Sequence, residues 1–306
     1  MKKYFYSTTP LQQLLLLIIL TLSLWILISV FAIAVAVLFW GSEVLSNMNV
    51  LMANSTFLKF FQVFQSIGLF ILPPVFFEWL TKGVFLPRHR TLGKNTGIYL
   101  ILSVLVVVAA QPFITFLGVI NHALVLPDYL ANLEEWMRQK EAAAQQITEI
   151  FLVSTHWSHH IINVVIIAVL PAIGEELMFR GALQRVFHAI FKNVHWAVFF
   201  TAALFSAIHI QFFGFLPRFV LGLIFGYLMV FSGNIWLPIL AHFTNNFMAF
   251  LVYQWYMSDN QTASNPLEAG SEYPDVFWVV TSAVVITLSL LLCKRLNNKV
   301  ASEAQR

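Results

Sequence analysis

Long apolar runs separated by short polar stretches occupy most of this chain. A helix needs about 20 mostly apolar residues to cross a bilayer. Runs of that kind lie at 11–40, 57–80, 97–120, 159–190, 194–211, 215–232, 235–257 and 275–293. They predict an all-α, polytopic membrane helix bundle of about eight transmembrane helices. Only 159–190 breaks its apolar pattern seriously, because Glu175, Glu176, Arg180 and Arg185 fall inside it. The connection 121–157 is long for such a bundle. Within it Leu130, Leu133, Met137, Ala144, Ile147 and Phe151 recur near helical spacing with charges between them, which predicts an amphipathic helix strapped across the outer face.

Composition supports the membrane reading. Hydrophobic residues make up 59% of the chain and charged ones 10%, too little polar surface for a soluble protein of 306 residues. A net charge of +3 points to no nucleic-acid partner, and its distribution says more than its sum. Lys2 and Lys3, then Lys82, Arg88, Arg90 and Lys94, then Arg185 and Lys192, and finally Lys294, Arg295, Lys299 and Arg306 mark alternate turns. The intervening loops carry acids such as Glu43, Asp128, Glu134, Glu135, Glu141, Glu149, Asp259, Glu268 and Glu272, with Arg138, Lys140 and Arg218 against the trend. By the positive-inside rule both termini face the cytoplasm. The first apolar run is about twice as long as the core of a secretory signal, so it reads as an uncleaved span. The lone Cys293 excludes an internal disulfide or a cysteine-rich metal site. Glu78, near the inner end of the second run, is expected to reach toward the 81–96 loop.

Ionisable groups inside spans are costly, and each requires a partner or a task. Glu176 and Arg180 are four residues apart, share a helical face and can pair, with the acid N-terminal to the base. Glu175 projects about 100° away. In a pocket of low dielectric its pKa is expected to rise, as a general base working near neutrality requires. Phe205 and His209 share a face in the next run. His242 and Asn246 do so in 235–257, where an imidazole and a carboxamide could stabilise an oxyanion; Asn245 is the neighbouring candidate. Any one cluster alone suits helix packing, and their co-occurrence along successive spans is what points to catalysis. Asp128, Asp259 and Asp275 fall outside the span interiors, so an aspartyl dyad is not expected; a Gly-x-Ser-Gly nucleophile turn and a His-Glu-x-x-His helix are absent. Glu175, His209 and His242 could instead offer three zinc ligands, but no metal is the favoured expectation. His156, His159 and His160 have partial metal spacing but no carboxylate beside them, and fit an interfacial role. If the helices were straight, His209 would lie roughly 22 Å and His242 roughly 10 Å from the inner starts of their spans, so the two imidazoles would not meet.

Glu-Glu-x-x-x-Arg at 175–180, Phe-x-x-x-His at 205–209 and His-x-x-x-Asn at 242–246 together resemble the CPBP family, which holds the type II CAAX prenyl proteases and bacteriocin-processing or immunity proteins. The resemblance covers roughly a third of the chain, about residues 155–257. It implies a metal-independent intramembrane endopeptidase of glutamate type. Glu175 would activate water with help from His209, His242 and Asn246 would form the oxyanion pocket, and Glu176, Arg180 and Phe205 would support them. The expected substrate is a membrane-embedded or lipidated peptide or protein, and the expected location is the bacterial cytoplasmic membrane. The chain then divides into a three-span accessory region (1–120), an outer amphipathic connection (121–157), a CPBP-like core (158–257) and an outer loop with the last span and a basic tail (258–306). A non-enzymatic scaffold or immunity protein and a proton-coupled transporter are the rival readings. No visible internal repeat supports the transporter.

Overall fold

A computed structural model describes residues 8–46, 51, 54–81, 95–152, 157–258 and 273–303. The basic positions Lys2, Lys3, Lys82, Arg88, Arg90, Lys94 and Arg306, the acids Asp259, Glu268 and Glu272, and His156 lie outside the described residues. Among those described, the chain is helical and contains no strand. The helices are α1 (Pro10–Trp40), α2 (Ser55–Thr81), α3 (Thr96–His122), α4 (Ala131–Leu152), α5 (residues 157–191), α6 (Val194–Ala207), α7 (Phe215–Ser232), α8 (Trp236–Ser258) and α9 (Val276–Glu303).

Six helical stretches are long and apolar enough to cross a membrane, and the molecule is an integral membrane helix bundle. The remaining two expected spans differ from the sequence reading in instructive ways. α6 has 14 residues, a length of about 21 Å against a hydrocarbon core of about 30 Å. α8 is long enough at 23 residues, but His242, Thr244, Asn245, Asn246 and Gln254 interrupt its apolar surface.

The helix ends follow local chemistry. Thr9 and Gln12 form a capping box around Pro10, the first residue of α1, and Gly41 closes the helix at φ 73. Asn54 and Asn193 each accept two backbone N–H groups at the starts of α2 and α6. Two helices carry widened π-turns directly before prolines: Ile67–Ile71 ahead of Pro73 and Pro74, and Val165–Val169 ahead of Pro171. A proline ring collides with the carbonyl four residues back, and a widened turn takes up that clash without breaking the helix.

The chain groups into two compact units that are not contiguous in sequence. One comprises the described parts of Met1–Phe85 and Gln146–Lys192, the other those of Leu86–Gln145 and Asn193–Arg306.

In the first unit, α1 is apolar all round and exposes Ile19, Ile26, Val30, Leu38 and Phe39, as a lipid-facing helix does. Ala36, Val44 and Phe57 form one buried cluster there, and Leu58, Phe151 and Ile166 another. Phe151 thus buries the end of the amphipathic helix α4, whereas Leu133 and Ile147 stay exposed. Gly174 lets α5 approach α2 closely: a Cβ there would lie 2.9 Å from Phe70 Cβ and 3.2 Å from Ile71 Cγ1.

In the second unit, Val106, Val107 and Ala110 of α3 pack with Leu221, Ile224, Phe225 and Leu228 of α7, Ala241 of α8 and Ile286 of α9. Gly222 lets α7 press onto α6, since a Cβ there would sit 3.0 Å from Ala202 Cβ and 3.3 Å from a ring carbon of Phe205. Close contact through small residues is how helices associate where no water drives them together.

Candidate active site

The acidic motif is built within the first unit, on α5. Glu176 and Arg180 pair as their spacing predicts, with Nη1 of Arg180 2.7 Å from Oε1 of Glu176 and both side chains wholly buried. The pair spans a π-turn, Leu177–Leu183, that no proline explains. Widened turns recur at functional sites, because they rotate side chains off the regular helical register. Glu175 occupies the adjoining face and is half-buried, with one carboxylate oxygen fully enclosed. Phe70 of α2 packs beside this segment, its ring 6.4 Å from that of Phe179. Glu78 pairs with Arg185 of α5 at 3.3 Å, while residues 82–94 of the loop it was expected to reach lie outside the described residues. Sequence reasoning missed this because 107 residues separate the two.

The histidines and the asparagine are built within the second unit. α6 ends at Ala207, so His209 sits in a turn beyond the helix rather than inside a span. Its Nδ1 is 2.8 Å from the carbonyl oxygen of Phe205. A carbonyl can only accept, so Nδ1 carries the proton and Nε2 carries the lone pair. The residue after it, Ile210, stands at φ 53, a left-handed conformation that branched side chains rarely adopt. Such positions cost about 1–3 kcal/mol and persist where the surroundings enforce them.

Phe205 brings the two imidazoles together. Its buried ring lies 5.3 Å from that of His209 and 5.8 Å from that of His242, edge-on to both, and Phe225 stacks on His242 at 5.1 Å. The depth conflict expected from straight helices is therefore absent. α6 is short, and the turn after it folds His209 back onto its last residues.

Asn246 is half-buried one turn beyond His242. Nδ2 of Asn245 donates to Oδ1 of Asn246 at 3.2 Å, and Nε2 of Gln111 donates to Oδ1 of Asn245 at 3.5 Å and to the Val107 carbonyl at 3.1 Å. Asn245 thus has a stated task, orienting its neighbour, with Gln111 of α3 behind it. Gln111 was visible in sequence only as a single amide within an apolar run, which is a weak signal.

The turn after His209 is covered from the outer connection. The ring of Trp136 lies 5.3 Å from Phe212, and the guanidinium carbon of Arg138 lies 4.6 Å from the Phe213 ring centre. Arg138 also pairs with Glu134 at 2.7 Å, and Glu134 accepts the Leu126 N–H at 2.8 Å. The Leu126 amide, then the Arg138 guanidinium, hold the Glu134 carboxyl below the ordinary carboxylate range. Arg138, which ran against the expected charge alternation, therefore has a structural use.

Among the described residues, no group of three or more His, Cys, Asp or Glu side chains is arranged to hold a metal ion. His159 is exposed and His160 half-buried at the start of α5.

Residues 155–248 match the family described as type II CAAX prenyl endopeptidase Rce1-like. The matched stretch contains Glu175, Glu176, Arg180, Phe205, His209, His242 and Asn246. No curated protein and no solved structure matches the chain. The family match supports a CPBP-family intramembrane protease, and with the apolar helices it points to a membrane-associated substrate.

Proposed function

We propose that this chain hydrolyses a peptide bond in a membrane-associated or prenylated protein or peptide, using a water molecule that Glu175 activates. The observation that carries the reading is the family match over residues 155–248, a single stretch holding all three polar motifs. Several features support the roles within it. The tautomer set by the Phe205 carbonyl leaves Nε2 of His209 able to accept a proton. Glu176 pairs with Arg180 at 2.7 Å, and the reading assigns the acid–base task to Glu175 on the adjoining, half-buried face.

Glu175 takes a proton from water, assisted by Nε2 of His209. The resulting hydroxide attacks the scissile carbonyl carbon. The new oxyanion accepts hydrogen bonds from His242 and Asn246, which are worth more in a dry site than in water. Collapse re-forms the carbonyl and breaks the C–N bond, and Glu175 returns the proton to the leaving amine. The products are a carboxylate and a free amine, and no metal takes part. Full activity after treatment with strong chelators is the expected result, and loss of activity restored by zinc would overturn the metal-independent scheme. The same reading places the enzyme in the bacterial cytoplasmic membrane with both termini inside.

Comparing membrane peptides from cells carrying the native protein or Glu175→Gln tests the function. Full-length substrates should accumulate with the variant while the protein itself is present at its normal level. Identical peptide populations would favour a scaffold or immunity role.

A further inference from the structure

α7 begins at Phe215 behind Gly214, which supplies no side-chain cap. The first N–H groups of a helix have no partner within it, and a residue outside must satisfy them. Here the cap comes from another helix. Asn121, the penultimate residue of α3, is 4% exposed. Its Oδ1 accepts the Leu216 N–H at 2.7 Å and its Nδ2 donates to the Phe212 carbonyl at 2.9 Å. Its carboxamide therefore holds both the start of α7 and the turn that leads into it.

That turn is the one that follows His209 and contains the strained Ile210. Two nearer side chains grip it as well: Oγ of Ser206 donates to the Phe215 carbonyl at 2.7 Å, and Nη1 of Arg218 donates to the Gln211 carbonyl at 3.4 Å. Both lie on helices that flank the turn. Asn121 ties it by hydrogen bonds to the last turn of α3, where the His122 ring also lies 5.6 Å from that of Phe213, outside the matched residues 155–248.

From these contacts we propose that Asn121 is a positioning residue for His209. By capping α7 from α3 it fixes residues 210–214 against a strained backbone, and so fixes where the imidazole presents Nε2. The catalytic consequence rests on the reading of His209 as part of the hydrolytic set. The positioning itself does not depend on that reading.

The test uses the full-length protein in lipid nanodiscs with 15N-labelled histidine, the His209 signals being assigned by their absence in His209→Gln. Asn121→Ala should shift or split the His209 imidazole signals. It should also lower kcat on a prenylated test peptide by up to about 100-fold, as small misplacements of catalytic groups do, with KM unchanged. Asn121→Asp keeps the acceptor for Leu216 and loses the donor for Phe212, so it should move the same signals by less and recover part of kcat. If Asn121→Ala does not fold, Asn121→Asp carries the test by itself. His209 signals that stay in place in a folded Asn121 variant would overturn the proposal, whatever its activity. Cleavage that survives His209→Gln in the parent protein would instead overturn the catalytic reading, a result that the signal shifts do not affect.

Discussion

In α5 the polar residues are charged, and Glu176 and Arg180 answer one another within a single helix, fully enclosed. Around α6 and α8 the polar residues are imidazoles and carboxamides, held by aromatic edges, a backbone carbonyl and neighbouring amides. The first arrangement is costly to disturb, because removing either ion strands the other in a medium that cannot solvate it. The second is cheaper to disturb, since each neutral group has alternatives and part of His209 reaches the surface. On the proposed mechanism the contrast separates an ion pair that holds the bundle from groups that do chemistry: the Glu176–Arg180 pair should answer substitution mostly in stability, and Glu175 and the histidine cluster mostly in turnover.

The largest effect that would break this division is on activity. His209→Ala should lower cleavage by about 100- to 10,000-fold, the range over which acid–base groups contribute, while thermal unfolding in detergent moves little. A large loss of stability in that variant would erase the distinction. Next, Arg180→Met should destabilise the protein by about 3–5 kcal/mol, with most of it recovered in the Glu176→Gln/Arg180→Met double variant, because the pair is then replaced rather than broken. Denaturant or thermal unfolding of the three proteins checks the cycle.

Smaller again is Gly174→Ala. The added methyl meets Phe70 Cβ at 2.9 Å. It should cost about 1–3 kcal/mol, the usual toll of overpacking. Ile71→Ala, which removes the Cγ1 that lies 3.2 Å away, should relieve part of it. The smallest effect lies on α4. Because the Glu134 carboxyl is held below its ordinary range, its contribution is present at neutral pH and above the unfolded carboxylate value. That contribution is lost as acidification carries the pH through the folded value. Glu134→Gln should therefore flatten the acid limb of the stability profile slightly, measured as unfolding temperature against pH.

Much of the fold could be read from the sequence, for a definite reason: a lipid-embedded helix announces itself by continuous apolarity. α2 and α3 fall within two residues of the runs that predicted them. The local pair Glu176–Arg180 was legible because helical spacing alone creates it. What stayed hidden depends on contacts between distant parts of the chain. Nothing in the spacing of Asn121, Gln111 or Glu78 points to Leu216, Asn245 or Arg185. The end of α6 at Ala207 was missed because the apolar run continues through Ile208 and Ile210, while the backbone turns at a residue whose conformation its side chain disfavours. Tertiary bonds outweigh that preference, and no periodicity records them.

The central claim is hydrolysis by a water molecule that Glu175 activates. It is tested most directly by incubating the purified protein with a prenylated CAAX peptide in 18O-labelled water and weighing the products. The account predicts a new carboxylate carrying one heavy oxygen from the wild-type protein and no product from folded Glu175→Gln. Equal product from the Glu175→Gln variant, or product without heavy oxygen, would contradict it.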